Sequence, residues 1–154
     1  MSASAPIDPR GPRFGAAITA VLLLVVVFLT LTGASVAALI LLGALAALFA
    51  WGTIAGVARH PYAALFKAVV RPRLAPPREL EGPEAPTFAQ GVGLAVTLVG
   101  VILGVLGFPA AVGVAAAAAF VAAFLNAVFD YCLGCQIYLL LLRAGLIAPA
   151  PTAS

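Results

Sequence analysis

Charge is the scarcest property of this sequence: 8% of its 154 residues are Asp, Glu, Lys or Arg, while 64% are hydrophobic. Soluble domains run at about a quarter charged and about half apolar, and no soluble core hides apolar runs as long as these. A bilayer does, because it asks each spanning helix for about 20 apolar residues and leaves the helix to satisfy its own backbone. Histidine occurs once and cysteine twice, too few ligands to close a tetrahedral zinc site within one subunit. A glycine-rich phosphate loop, a nucleophile elbow and an interleaving of aromatic with basic residues are also missing. The sequence therefore predicts no metal, no cofactor and no nucleic-acid partner, and it lacks the machinery of a soluble enzyme.

What it has instead is four apolar runs. The first extends from about Phe14 to Thr32 and, after a break at Gly33, the second runs from about Ala34 to Val57. A third, from about Phe88 to Leu106, turns at Gly107-Phe108-Pro109 into a fourth that starts at Ala110. These runs predict an all-α, polytopic membrane protein of four transmembrane helices in two tandem hairpins, 14–57 and 88–143. A connector (58–87) joins the hairpins, with an N-terminal segment (1–13) before them and a flexible tail (144–154) after. The fourth run stays apolar to Leu142 apart from Asn126, Asp130 and Gln136. As one helix it would reach roughly 50 Å, against a hydrocarbon core of about 30 Å. It must bend, tilt or emerge, and Gly134 between the cysteines is the expected place.

The basic residues set an orientation. Arg10 and Arg13 precede the first run, and Arg59, Lys67, Arg71, Arg73 and Arg78 lie between the second and third. The positive-inside rule then puts the N-terminus, the connector and Arg143 in the cytoplasm, leaving only the two short turns outside. The net charge of +3 reads as an orientation signal resting on anionic headgroups. Within the connector, HPYAALFKAVV predicts a short helix on the membrane surface, starting at Pro61 and stopping at Arg71-Pro72. The proline-rich PRLAPPRELEGPEAP after it predicts an extended segment within reach of partners.

The hairpins look like copies. GPRF before the first span resembles APTF before the third, and the interval from Pro12 to Gly33 equals that from Pro86 to Gly107. Both copies begin on the same side, which predicts a parallel repeat about an axis along the membrane normal. In that register Gly52 and Gly56 stand where the second copy has Asn126 and Asp130, and His60 falls level with Gly134. Gly52-x-x-x-Gly56 and Gly100-x-x-x-Gly104 are small-residue faces on which helices approach closely.

The candidate chemistry is Cys132-Leu133-Gly134-Cys135, both of the chain's cysteines at the predicted cytoplasmic edge. Two thiols at this spacing reach one another across a helical turn or at a helix start, so a reversible disulfide fits. Packing is the competing reading, because free cysteine behaves as a small hydrophobe. A helix restarting beside the pair would aim free amides at a sulfur and favour its thiolate. Asp130 is a candidate for proton handling, since an ionisable group near a membrane span is costly. On an unbroken helix, however, positions 130 and 132 point to nearly opposite sides. His60, beside Pro61 at a helix start, is a weaker candidate and reads more simply as a surface residue.

Together IDPRGPRF, HPY, RPRLAPPREL, PTFAQ and LNAVFDYCLGCQIYLLL resemble the bacterial, largely actinobacterial, membrane proteins catalogued as domain of unknown function 4395. The resemblance covers nearly the whole chain and is most specific at Tyr131-Cys132-x-Gly134-Cys135. At Asp130 and Gln136 the chain departs from the glycine and glutamate common in those proteins, which weakens a mechanism resting on Asp130. The resemblance implies an inner-membrane location and an association with thioredoxin-like and sulfurtransferase (rhodanese-like) proteins, hence thiol or sulfur handling. The leading expectation is a relay of thiol redox equivalents or sulfane sulfur through a cytoplasm-facing dithiol. The alternative is a non-enzymatic scaffold or small transporter subunit, assembled as a homo-oligomer through its glycine faces, in which the cysteines only pack.

Overall fold

The computed structural model describes residues 4–149. Four long helices form the body: α1 (Arg10–Leu31), α2 (Ser35–Ala55), α4 (Glu84–Val105) and α5 (Pro109–Phe129). All four are long and apolar enough to cross a bilayer. A short helix follows each hairpin: α3 (Pro61–Leu65), continued by a wider π turn over Phe66–Val70, and α6 (Leu133–Arg143). Among the described residues there is no strand, only an isolated antiparallel bridge between Ile7 and Glu81.

Helices α1 and α4 begin about a turn before their apolar runs. Pro12 and Pro86 sit in their first turns, where a missing N–H removes a donor that has no intrahelical partner anyway. At the start of α1 the Asp8 carboxylate accepts the Arg10 backbone N–H at 3.0 Å and pairs with the Arg10 guanidinium at 2.7 Å. Both hairpins turn in the same way. Gly33 and Gly107 take φ of +81° and +98°, the left-handed region open to a residue without Cβ. The residue after each glycine returns its N–H to a carbonyl five residues back, Ala34 to Leu29 and Phe108 to Leu103, both at 2.9 Å. This pairing satisfies carbonyls that the helix end leaves free.

The repeat extends past the hairpins. Helix α4 starts and ends where α1 does, and α5 where α2 does, at the one spacing that separates Arg10 from Glu84. The same spacing carries Gly56, which ends α2 at φ 83°, onto Asp130, which ends α5 at φ 56°. It also carries α3 onto the stretch occupied by α6. Around the bundle α1 packs on α5, α5 on α4, α4 on α2 and α2 on α1. Each short helix lies back on the first helix of its own hairpin, α3 on α1 and α6 on α4. This is the packing of two like units about an axis running along the bundle.

The core keeps that symmetry in position and breaks it in size. The first copy fills its buried positions with Leu23, Val26, Leu42 and Leu45, and the equivalent second-copy positions hold Thr97, Gly100, Ala116 and Ala119. Large side chains on one side of the axis stand against small ones on the other, which keeps the interior at close-packed density. A Cβ on Gly100 would run into that of Ala115, and one on Gly104 would come within 2.6 Å of Val112 Cγ2 and 2.9 Å of Leu39 Cδ1. The Gly100–Gly104 face is thus taken up inside the chain by α5 and α2. Gly52 is roofed by the Gln90 side chain of α4, and Gly56 serves to end a helix. The outer surface is the apolar one: Val36, Ile40, Ile54, Val105 and Val114 are all more than half exposed, as suits a lipid-facing wall.

Gly134 is not where the fourth run breaks. Helix α5 ends at Asp130, the only described non-glycine residue with positive φ, and Tyr131 N–H caps Leu125 O at 3.1 Å. A short polar side chain tolerates the left-handed conformation, so aspartate does here what Gly56 does in the first copy. Gly134 lies in the first turn of α6, where its missing side chain serves close packing.

Candidate functional site

Helix α6 begins at the cysteine pair. Cys132 is its N-cap, in an extended conformation, and its sulfur accepts the Cys135 backbone N–H at 3.2 Å. The two Cα atoms are 5.2 Å apart and the sulfurs are joined as a disulfide. Cys132 is partly exposed, whereas Cys135 is 9% exposed. Two contacts pin this helix start to α4. Gly134 lies so close to Ala89 that an added Cβ would meet the Ala89 Cβ and, at 2.6 Å, its Cα, and the Tyr138 ring packs on Phe88 at 5.6 Å between centroids.

Both cysteines line a cavity of about 910 Å³ at the charged end of the bundle. Its apolar floor includes Leu45 and Ala119, which are equivalent positions of the two copies, so it lies at the middle of the spans. From Ala119 to the end of α5 the rise is about 16 Å. One wall carries Cys132, Cys135 and Gln136 from the second copy, and the facing side carries His60 and Tyr62 from the first. The amides of Gln90 and Asn126 add to its polar lining, and charged side chains, Arg13, Lys67 and Arg71 with Asp8, Glu81, Glu84 and Asp130, stand around its mouth. At the mouth, the bridge between Ile7 and Glu81 straps the N-terminal segment to the connector, with N–H to O distances of 2.8 and 2.9 Å.

His60 is buried, at 5% exposure, rather than lying on the surface. Its Nδ1 accepts the Tyr62 backbone N–H at 3.2 Å, capping α3, and its Nε2 lies 3.1 Å from Leu48 O. That pairing assigns the proton to Nε2. Burial pushes the imidazole below its ordinary value, against the opposing effect of the Leu48 bond, so the neutral ring is favoured. Both nitrogens are spent on structure, which accounts for His60 without chemistry. The Tyr62 hydroxyl is buried without a hydrogen-bond partner at proper geometry, although Thr19 lies beside it.

Asp130 is held from α1. Arg13 Nε is 3.5 Å from its Oδ1, and an Arg13 Nη donates to Ala127 O at 3.3 Å. A cation there also meets the negative end of the α5 dipole. In the first copy the position of Arg13 is taken by Thr87 of the facing copy, whose Oγ1 accepts the Val57 N–H at 3.3 Å just past α2. Asp130 thus sits at a helix-ending position with an arginine partner.

The sequence singles out Cys132, Cys135, Asp130 and His60, and all four line this one cavity. Tyr62 and Gln90 are absent from that set. Gln90 carried a usable signal, being the only amide within the third span. Tyr62 had none, because its place depends on α3 folding back on α1. Among the described residues no three or more His, Cys, Asp and Glu side chains come close enough together to hold a metal ion.

Fold and site define a multi-pass helical membrane protein built from two like-oriented hairpins, with a cysteine pair at a helix start beside an axial cavity. The chain belongs to the family described as Domain of unknown function (DUF4395), which it matches over residues 7–143. No curated protein and no solved structure matches it.

Proposed function

We propose that this protein relays thiol redox equivalents across the cytoplasmic edge of the bacterial inner membrane, with Cys132 and Cys135 as the exchanging pair. The observation that carries the reading is the Cys135 N–H aimed at the Cys132 sulfur at the start of α6. A helix N-terminus favours the thiolate over the thiol, and the thiolate is the attacking form. The more exposed Cys132 attacks the disulfide of a cytoplasmic thioredoxin-like partner and forms a mixed disulfide. Cys135 then displaces the partner's sulfur, leaving the membrane pair oxidised and the partner reduced. A rhodanese-like partner fits the same geometry: Cys132 takes the terminal sulfur of a persulfide and the partner leaves as a thiol.

Capture from the cytoplasmic face tests the reading. The Cys135→Ser protein is expected to hold its partner as a mixed disulfide released by reductant, and Cys132→Ser to hold none. A membrane-impermeant maleimide should label the reduced wild-type protein in inverted vesicles and not in right-side-out ones. Equal capture by both variants, or labelling confined to right-side-out vesicles, rejects the proposal.

A further inference from the structure

We propose that the axial cavity is a quinone site, which takes an uncharged, largely apolar quinone and lets it exchange two electrons with the Cys132–Cys135 pair. This rests on the thiol relay above and names its second redox partner, which a pair that cycles against a cytoplasmic protein must have. Charge selects against an anionic occupant. No Asp, Glu, Lys or Arg occurs in residues 14–58 or 85–129, so below the mouth nothing neutralises a phosphate, a dinucleotide or a sulfur oxyanion. At the mouth the cations Arg13, Lys67 and Arg71 are outnumbered by the carboxylates of Asp8, Glu81, Glu84 and Asp130, and Arg13 is turned to Asp130 and the Ala127 carbonyl. Burying an unpaired anion there would carry the full penalty of ionic desolvation.

The lining suits a quinone at both ends. The floor is alkyl, with Leu45, Val96 and Ala119, and it reaches the middle of the spans, the depth at which an isoprenoid tail is at home. Nearer the mouth stand neutral donors: the amides of Gln90 and Asn126, and the Tyr62 hydroxyl, which is buried beside Thr19 without a hydrogen bond at proper geometry. The two carbonyls of a quinone accept from such donors and the two hydroxyls of the hydroquinone donate to the amide and phenol oxygens, and a buried hydroxyl left unpaired gains a partner when a ligand oxygen reaches it. The volume of about 910 Å³ is at the upper end of small-molecule pockets, enough for a ring and the start of a tail. Cys135 is shielded from solvent and lines this cavity, while Cys132 is the more open sulfur.

The step balances as two thiols and a quinone giving a disulfide and a hydroquinone. One S–S bond forms, two S–H bonds break, and two electrons and two protons pass to the quinone oxygens. Because thiol exchange with the partner is reversible, a reduced partner recharges the Cys132–Cys135 disulfide to two thiols and the quinone takes those electrons, which closes the cycle; with a hydroquinone as reductant both steps run the other way. The test uses the full-length protein in lipid nanodiscs, under nitrogen, with a fully substituted decylbenzoquinone that thiols do not alkylate. Its binding is first titrated against the Cys132→Ser/Cys135→Ser protein, where no electron transfer is available. Saturable binding is expected, weakened about tenfold by Tyr62→Phe or Asn126→Leu, the effect of one lost hydrogen bond. Reduced wild-type protein should then give one hydroquinone per disulfide formed, and Cys132→Ser none. Absence of saturable binding, or binding that neither variant alters, overturns the cavity assignment, while capture of the cytoplasmic partner reports separately on the relay. Saturable binding without hydroquinone, in protein that still captures its partner, overturns the electron transfer.

Discussion

Two residues decide how the cysteine pair is presented, and they divide the work that sequence reading assigns to one. Gly134 is expected to break the fourth run, but Asp130 does so, and Gly134 instead lets α6 touch Ala89. Glycine's sequence signal is the same for a turn as for a close approach, so only the fold tells them apart. The obstacle to a Cβ at position 134 is Ala89 backbone and Cβ, neither of which can swing aside. Gly134→Ala is therefore expected to cost about 1–3 kcal/mol, as overpacking does, and to lift α6 off α4, read as faster maleimide reaction at Cys135. Asp130→Gly goes the other way. It removes a left-handed strain of about 1 kcal/mol and an exposed ion pair worth less than that, so stability should hold or rise in thermal unfolding. If Asp130 handles protons, the same variant loses thiol exchange. If exchange persists, Asp130 is only a helix end.

Among the elements, the short helices show how much a register argument carries. The start of α3 at Pro61 and the end of its π continuation at Val70, just before Arg71-Pro72, follow from proline placement. That α6 is a separate helix did not follow, because its apolar residues continue those of α5 and only the Asp130 backbone separates them. Likewise the burial of His60 depends on α3 folding back on α1, a tertiary event with no local signature. Its cap gives a pH dependence whose sign is fixed. His60 titrates below its ordinary 6.5 in the folded protein, so the unfolded chain takes up a proton first as pH falls. The stability it confers is present in full above about pH 6.5 and drains away as pH drops through the lowered value. Circular dichroism melts in detergent should show a lower midpoint at about pH 5 than at about pH 8, and His60→Ala should flatten that difference while costing about 1 kcal/mol near neutrality. Asparagine, which still offers a capping acceptor, should recover part of that loss. An unchanged pH profile in His60→Ala would assign the dependence to another group.

For the whole molecule, the count of spans and their pairing into two like-oriented hairpins were legible, because apolar length and the Pro-to-Gly interval are linear features. The cavity was not, since it arises where a small second-copy core meets the first copy's short helix and Gln90 across the axis. The glycine faces were legible as contacts but not as to partner, and the partner decides between a self-contained bundle and a scaffold assembled from copies. Gly100 meets Ala115 of α5 within one chain, and helices in a bilayer gain their association from close packing rather than from hydrophobic drive. Gly100→Ala should then lower the stability of the monomer by about 1–3 kcal/mol in a detergent titration. Adding Ala115→Gly, which removes the colliding methyl, should return most of the loss, because contacting sites couple rather than add. A face used between copies would behave differently: the single variant would shrink the particle in size-exclusion chromatography at unchanged monomer stability, and Ala115→Gly would rescue nothing. Rescue by the pair is therefore the outcome that ties this glycine face to the interior on which the cavity stands.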